Sequence, residues 1–216
     1  MKTTDDEAYV HRLISEGEHI RQDFKFAISD ARKIAHSLSA FANTKGGKLL
    51  IGVKDNGRIA GICSDEEAYM IEAAAQIYCR PKPEISISIH KVGGKDILEV
   101  QIAESNVKPI YAIDEQNKAW AYIRIADENI LANAVQLEIW RKEAREKETI
   151  ISYNEQEKRL LKLLCDHKEL TLNQCCRIMK QKRKYICALL ADFIRFGLVE
   201  QIFREHTFYF RSKEES

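Results

Sequence analysis

Five cations crowd one stretch of this chain. Arg177, Lys180, Lys182, Arg183 and Lys184 fall within eight residues with no acid between them. Ammonium and guanidinium groups at that density can neutralise successive phosphates, and the counterions released supply sequence-independent affinity for nucleic acid. The plainer reading is a solvated basic helix face. Other reactive residues form less coherent sets. Cys175-Cys176 with His167 lacks the spacings that structural zinc uses, so the pair reads as small helix residues, one of them buried. Gly46-Gly47-Lys48 lacks the rest of G-x-x-x-x-G-K-[ST] and follows a helix instead of joining a strand to one. His11, His19, His36 and His90 are scattered, and no Ser-His-Asp or Cys-His arrangement stands out.

The elements that must position these residues follow from periodicity and punctuation. Asp5–Glu16 reads as a first helix and Glu18–Phe26 as a short strand. Ser29 or Asp30 can cap a helix running to about Asn43, with Ile34, Leu38 and Phe41 on its apolar face. Gly46-Gly47 ends it. Leu49, Leu50, Ile51 and Val53 then make an apolar run short enough for a strand buried on both faces, and Asp55-Asn56-Gly57 makes a turn. Ser64 to Glu67 fits a capping box before a helix ending near Tyr78, which Pro81 and Pro83 break. Ile85, Ile87 and Ile89 alternate, Gly93-Gly94 turns, and Ile97–Ile102 returns; Lys108–Ile113 and Ala119–Ile125 are further strands. Segregated hairpins and helices predict an α+β fold, a mixed sheet with flanking helices.

From Asn133 to Glu148 the pattern is helical and ends in R-K-E-A-R-E-K-E, a solvated end suited to a boundary. The expected domains are therefore 1–148 and 149–216. In the second, Leu160 to Leu164, Leu170 to Met179 and Tyr185 to Phe196 mark three helices. Gly197 stops the third, and Leu198–Phe203 with Thr207–Arg211 form a hairpin. This order resembles a winged helix-turn-helix. The resemblance implies that the basic cluster lies across the turn and the N-terminal end of the third helix, which enters a major groove in such modules. Arg204 and His206 would then sit at the wing tip, beside the DNA backbone.

Composition sets the outer limits. The chain has 216 residues, 45% hydrophobic and 31% charged, with nine glycines and three prolines, as in a folded globular protein. Net charge is +1, but Met1–Ile150 carries 21 basic against 24 acidic residues and Ile151–Ser216 carries 13 against 9. That asymmetry directs attention to the second half as the part that meets nucleic acid. There is no apolar stretch of membrane-spanning length, no signal sequence and no disulfide framework among the six cysteines, so a cytoplasmic protein without membrane contact is expected.

The central run A-F-A-N-T-K-G-G-K-L-L-I-G-V-K-D-N-G-R-I-A-G resembles the signature of the Schlafen AlbA-like domain, a nucleic-acid-binding family. Glu18, Asp23, Phe24 and Lys25 match its E-x-x-x-x-E-F-K segment. Arg80-Pro81, Lys108-Pro109 and Tyr122-Ile123-Arg124 extend the likeness over about residues 16–132. Some Schlafen proteins are RNA endonucleases with an acidic triad that binds a divalent metal, and by resemblance those positions are Glu18, Asp23 and Asp55. Three converging carboxylates would suit Mg²⁺ or Mn²⁺, activating water and stabilising charge on phosphate. Two features run against that site. Asp23 stands where the family has Glu, and an odd spacing puts Glu18 and Asp23 on opposite faces of a regular strand, so convergence requires a bend. Lys25 is placed to pair with a carboxylate or with a phosphate.

Three functions follow. The first is a DNA-binding transcriptional regulator needing no cofactor, homodimeric because winged-helix regulators read paired half-sites. The second is a metal-dependent RNase acting on structured RNA. The third is a partner-binding module without nucleic-acid contact.

Overall fold

In the computed structural model, residues 2–64, 66–145 and 154–213 are described, residues 2–5 by their backbone alone. The chain divides into two compact units, Met1–Ala132 and Asn133–Ser216.

The first unit is built on the apolar run read from sequence. Strand β1 (Gln22–Lys25) lies parallel to β2 (Gly47–Ile51), and β5 (Lys95–Ile102) and β4 (Ile85–Val92) complete a mixed sheet in the order β1-β2-β5-β4. Alternation on β2 explains why it is apolar throughout. Leu49 and Ile51 face helices α2 (Ala31–Asn43) and α3 (Glu66–Gln76), packing with Leu38, Phe41 and Ile71. Leu50 faces the other way, against Val10 and Leu13 of α1 (Lys2–Glu16). Each fully buried aliphatic side chain here contributes about 2 kcal/mol of transfer free energy.

A second, antiparallel sheet is ordered β3-β6-β7-β8, from Cys79–Arg80, Tyr111–Ile113, Ala119–Ile125 and Glu128–Leu131. It is fastened to α2 by two polar residues one helical turn apart. Asn43 donates from Nδ2 to the carbonyls of Ile110 (2.8 Å) and Tyr122 (2.9 Å) and accepts from Ile110 N (2.7 Å). Ser39 donates to Ile110 O and accepts from Tyr122 N. Both side chains are buried, so every bond spared from water competition serves the α2–sheet joint.

The expected α+β class is therefore present, as one mixed and one antiparallel four-stranded sheet with flanking helices. Asp30 caps α2 through Arg32 N, as its type and position predict. Glu67, expected in a capping box, instead turns inward, accepting from Cys63 N (2.8 Å) and Ile28 N (3.4 Å).

The second unit holds α4 (Ala134–Glu143), α5 (Glu155–Asp166), α6 (Leu172–Met179) and α7 (Arg183–Arg195). Its antiparallel sheet β10-β11-β9 joins Val199–Arg204, Thr207–Ser212 and Leu170–Thr171. Strand β9 goes beyond the expected elements; two residues give too short a pattern to read. Thr171 ends it and caps α6, with Gln174 completing a capping box. The expected boundary at 148/149 lies outside the described residues, and the compact units divide at 132/133 instead. The physical reason is α4. Val135 and Ile139 are buried with Leu190, Phe193 and Phe210 in the core of the second unit, so the helix belongs there despite its charged end. No helix among the described residues is long and apolar enough to cross a membrane.

Candidate nucleic-acid interface and the acidic residues

The basic turn is where sequence places it. Arg177 closes α6, Lys180 caps it in the left-handed conformation (φ 53°), and Lys182, Arg183 and Lys184 open α7. All five side chains are exposed. Among the described residues none of them meets a carboxylate; Arg183 donates to Asn173 Oδ1, a neutral partner. Their charge is thus free for an external anion. At the N-terminus of α7 the unsatisfied backbone N–H groups add to it, since Lys182 makes no side-chain cap.

Beyond its first turn α7 is flanked by α4. Lys142 Nζ donates to Ala188 O (3.1 Å) and pairs with Asp192, and Arg195 lies 3.9 Å from the same carboxylate. Only the beginning of α7 combines exposure with uncompensated positive charge. Arg204, expected to touch a phosphate backbone, is ion-paired with Glu169 and stands over the Tyr209 ring, 5.3 Å from its centroid. His206 is exposed at the hairpin tip. Cys175 is buried in the core, its thiol pushed up to about 11 by burial, which suits an inert packing residue.

In the first unit, Glu18 and Asp23 do approach one another. A tight turn pairs His19 with Gln22 and supplies the bend that a regular strand lacks, so Glu18 Oε1 reaches the N–H of Phe24 at 2.9 Å. Burial pushes the Glu18 carboxyl above its ordinary range, and adjacent Asp23 pushes the same way, against the Phe24 N–H and the Lys25 charge. Asp23 itself is buried beside two cations. Its Oδ1 lies 3.3 Å from Arg124 NH2, and its Oδ2 lies 2.8 Å from Lys25 Nζ. Lys25 thus has a carboxylate partner.

Arg124, named above in the family likeness, has a role in the core that the sequence does not disclose. Its guanidinium is fully buried over the Phe41 ring and donates to Gln22 O (3.2 Å) and Asn129 Oδ1 (2.9 Å). A positive charge inside a core needs such partners. Asp55 sits on the exposed 54–57 turn and shares with Glu18 and Asp127 a shallow depression of about 500 Å³. Among the described residues no three His, Cys, Asp or Glu side chains cluster closely enough to hold a metal ion. With Asp23 already held by two cations and one Glu18 oxygen by a backbone N–H, the three residues do not fit a Mg²⁺ or Mn²⁺ site in this arrangement.

Gly46-Gly47-Lys48 serves the framework. A Cβ on Gly47 would stand 2.5 Å from the Phe41 ring and 2.6 Å from Arg21 O, so close packing of α2 on β2 requires glycine. Lys48 Nζ pairs with buried Glu99 (3.1 Å), which also accepts from Tyr9 Oη (3.0 Å) and bonds His90 Nε2 (2.8 Å). Burial would raise the Glu99 carboxyl, but Lys48 and Tyr9 outweigh it and hold the group below its usual range. A depression of about 710 Å³ adjoins that network, and Arg12, Arg21 and Lys45 share its rim with Glu16, Glu84 and Glu104. Its charges are mixed.

Fold and site together define a two-unit α+β protein with an uncompensated basic turn in its C-terminal half. Residues 18–133 match the family model described as Schlafen, AlbA_2, more than half of the chain, and the chain belongs to that family. Membership suggests nucleic-acid binding. Among solved structures the chain is similar to the DIP2311 protein from Corynebacterium diphtheriae, at 17% identity and a TM-score of 0.45, over 73% of this chain and 33% of that one. It is also similar to the N-terminal domain of an ATP-dependent DNA helicase RecG-related protein from Nitrosomonas europaea, at 26% identity and a TM-score of 0.43, over 57% of this chain and 90% of that one. The match thus spans a third of the DIP2311 chain. No curated protein matches the sequence.

Proposed function

We propose that this is a cytoplasmic nucleic-acid-binding protein that contacts duplex DNA through its second unit and acts as a transcriptional regulator. The carrying observation is the basic turn: five exposed cations around the start of α7, none matched by a carboxylate among the described residues. Three helices followed by an antiparallel hairpin, with a short strand before α6, support the reading of this unit as a winged helix-turn-helix. In that geometry the N-terminal turn of α7 faces the major groove. The flanking α4 confines the groove-facing surface to that turn, so phosphate contact outweighs base reading. Family membership supports nucleic-acid binding independently.

The test is duplex DNA binding followed by fluorescence anisotropy with a labelled oligonucleotide. Replacing Lys182, Arg183 and Lys184 by alanine is expected to weaken binding at least tenfold at low salt, each phosphate contact being electrostatic. These side chains are exposed, so thermal unfolding should be unchanged. Equal affinity in a folded variant removes the role.

A further inference from the structure

Where α2 crosses the hairpin of β6 and β7, the first unit carries aromatic rings interleaved with a cation. Arg32 and His36 stand one turn apart on α2. The Arg32 guanidinium lies over the Tyr78 ring, 4.7 Å from its centroid, and makes no ion pair among the described residues. His36 stacks on Tyr122 with centroids 4.4 Å apart and planes at 22°. Two residues before Tyr122, on the same face of β7, is Trp120, an indole left 39% exposed. It is held rather than loose: its Nε1 donates to Asp114 Oδ2 at 2.7 Å. Asp114 also lies near enough to His36 and Tyr122 for its charge to act on both. Asp114 remains an anion, with the Gln116 and Lys118 N–H groups and the Trp120 indole bonding its two oxygens.

We propose that this surface is a stacking platform for the unpaired bases of a single nucleic-acid strand, with Trp120 as the first ring and Arg32 as the cation beside the backbone. Every base presents a π-face, so rings fixed in place by hydrogen bonds and stacking favour single strands without reading their sequence. Trp120 is part exposed, and Asp114 fixes its orientation, which suits a stacking ring. The proposal rests on the reading of the chain as nucleic-acid-binding, but on residues of the first unit and not on the basic turn.

The two tryptophans make it directly testable, because Trp140 is only 4% exposed. Intrinsic fluorescence of the full chain is measured while dT12 or rU12 is added, with anisotropy of labelled oligonucleotide in parallel. Emission is expected to fall on binding of either strand; a fall with one alone identifies which of the two strands the platform prefers. The signal should vanish in Trp120→Phe, which keeps a stacking ring and near-parent affinity. Trp120→Ala should bind single strands about tenfold more weakly, the effect of removing one stacked base. Single strands that bind without change in emission, or with equal affinity in Trp120→Ala, overturn the platform. So does absence of single-strand binding while duplex DNA still binds, and that pattern leaves the basic-turn reading standing. Absence of both binding modes in the parent overturns both.

Discussion

Glu18 is a carboxylate that the fold does not welcome. Its folded-state pKa is raised by burial and by Asp23, so between its ordinary value and the raised one the folded chain binds more protons than the unfolded chain. Stability then falls as pH rises through that window, and the deficit persists at neutral pH. Glu18→Gln keeps an oxygen for the Phe24 N–H and removes the charge. We expect a higher melting temperature than the parent at pH 7 and no difference below pH 4; a lower one at pH 7 would contradict the assignment. Asp55 is the opposite case. It forms part of an exposed turn, and asparagine serves turns as well as aspartate does. Asp55→Asn should leave stability and nucleic-acid affinity unchanged with or without Mn²⁺. Metal-dependent cleavage of structured RNA by the parent, abolished in this variant, would place the acidic residues in an active site and make the chain an enzyme.

Among the elements, the run from Ser39 to Gly61 was legible because every local signal agrees: an apolar helix face, a glycine stop, and a strand apolar on both sides. What the sequence could not disclose is why its polar members are there. Ser39 and Asn43 look like ordinary helix residues until Ile110 and Tyr122 arrive beside them from about 70 residues away or more. Arg124 belongs to the segment that carries the family likeness, but nothing local shows that it is buried between Asp23 and Phe41. Long-range partners leave no local periodicity. The same reasoning explains α4, whose charged end marks a boundary while its apolar residues belong to the next core. Gly47 tests the close packing directly. Gly47→Ala sets a methyl group against the Phe41 ring and the Arg21 carbonyl, and backbone cannot yield as a side chain can. Urea denaturation should show a destabilisation of about 1–3 kcal/mol, the usual range for overpacking. An unchanged midpoint would mean that α2 and β2 are less tightly joined than their geometry indicates.

Taken whole, the molecule joins a Schlafen, AlbA_2 unit to a basic helical unit within one chain of 24.9 kDa. A single basic turn can reach few phosphates, and paired half-sites are the usual remedy. We therefore expect sedimentation at micromolar concentration to give a dimer; a species of monomer mass alone would remove the paired-site reading. If the turn from α6 to α7 binds DNA through its free charges, salt must compete with it. The decisive quantity is the slope of log binding constant against log salt concentration, for the parent and for the Lys182→Ala, Arg183→Ala, Lys184→Ala variant. Each phosphate that a removed cation had neutralised should flatten that slope by about 0.9, so the triple variant should be flatter by about 2–3. Identical slopes in two folded proteins would contradict DNA binding by this turn and move the nucleic-acid interface elsewhere on the chain.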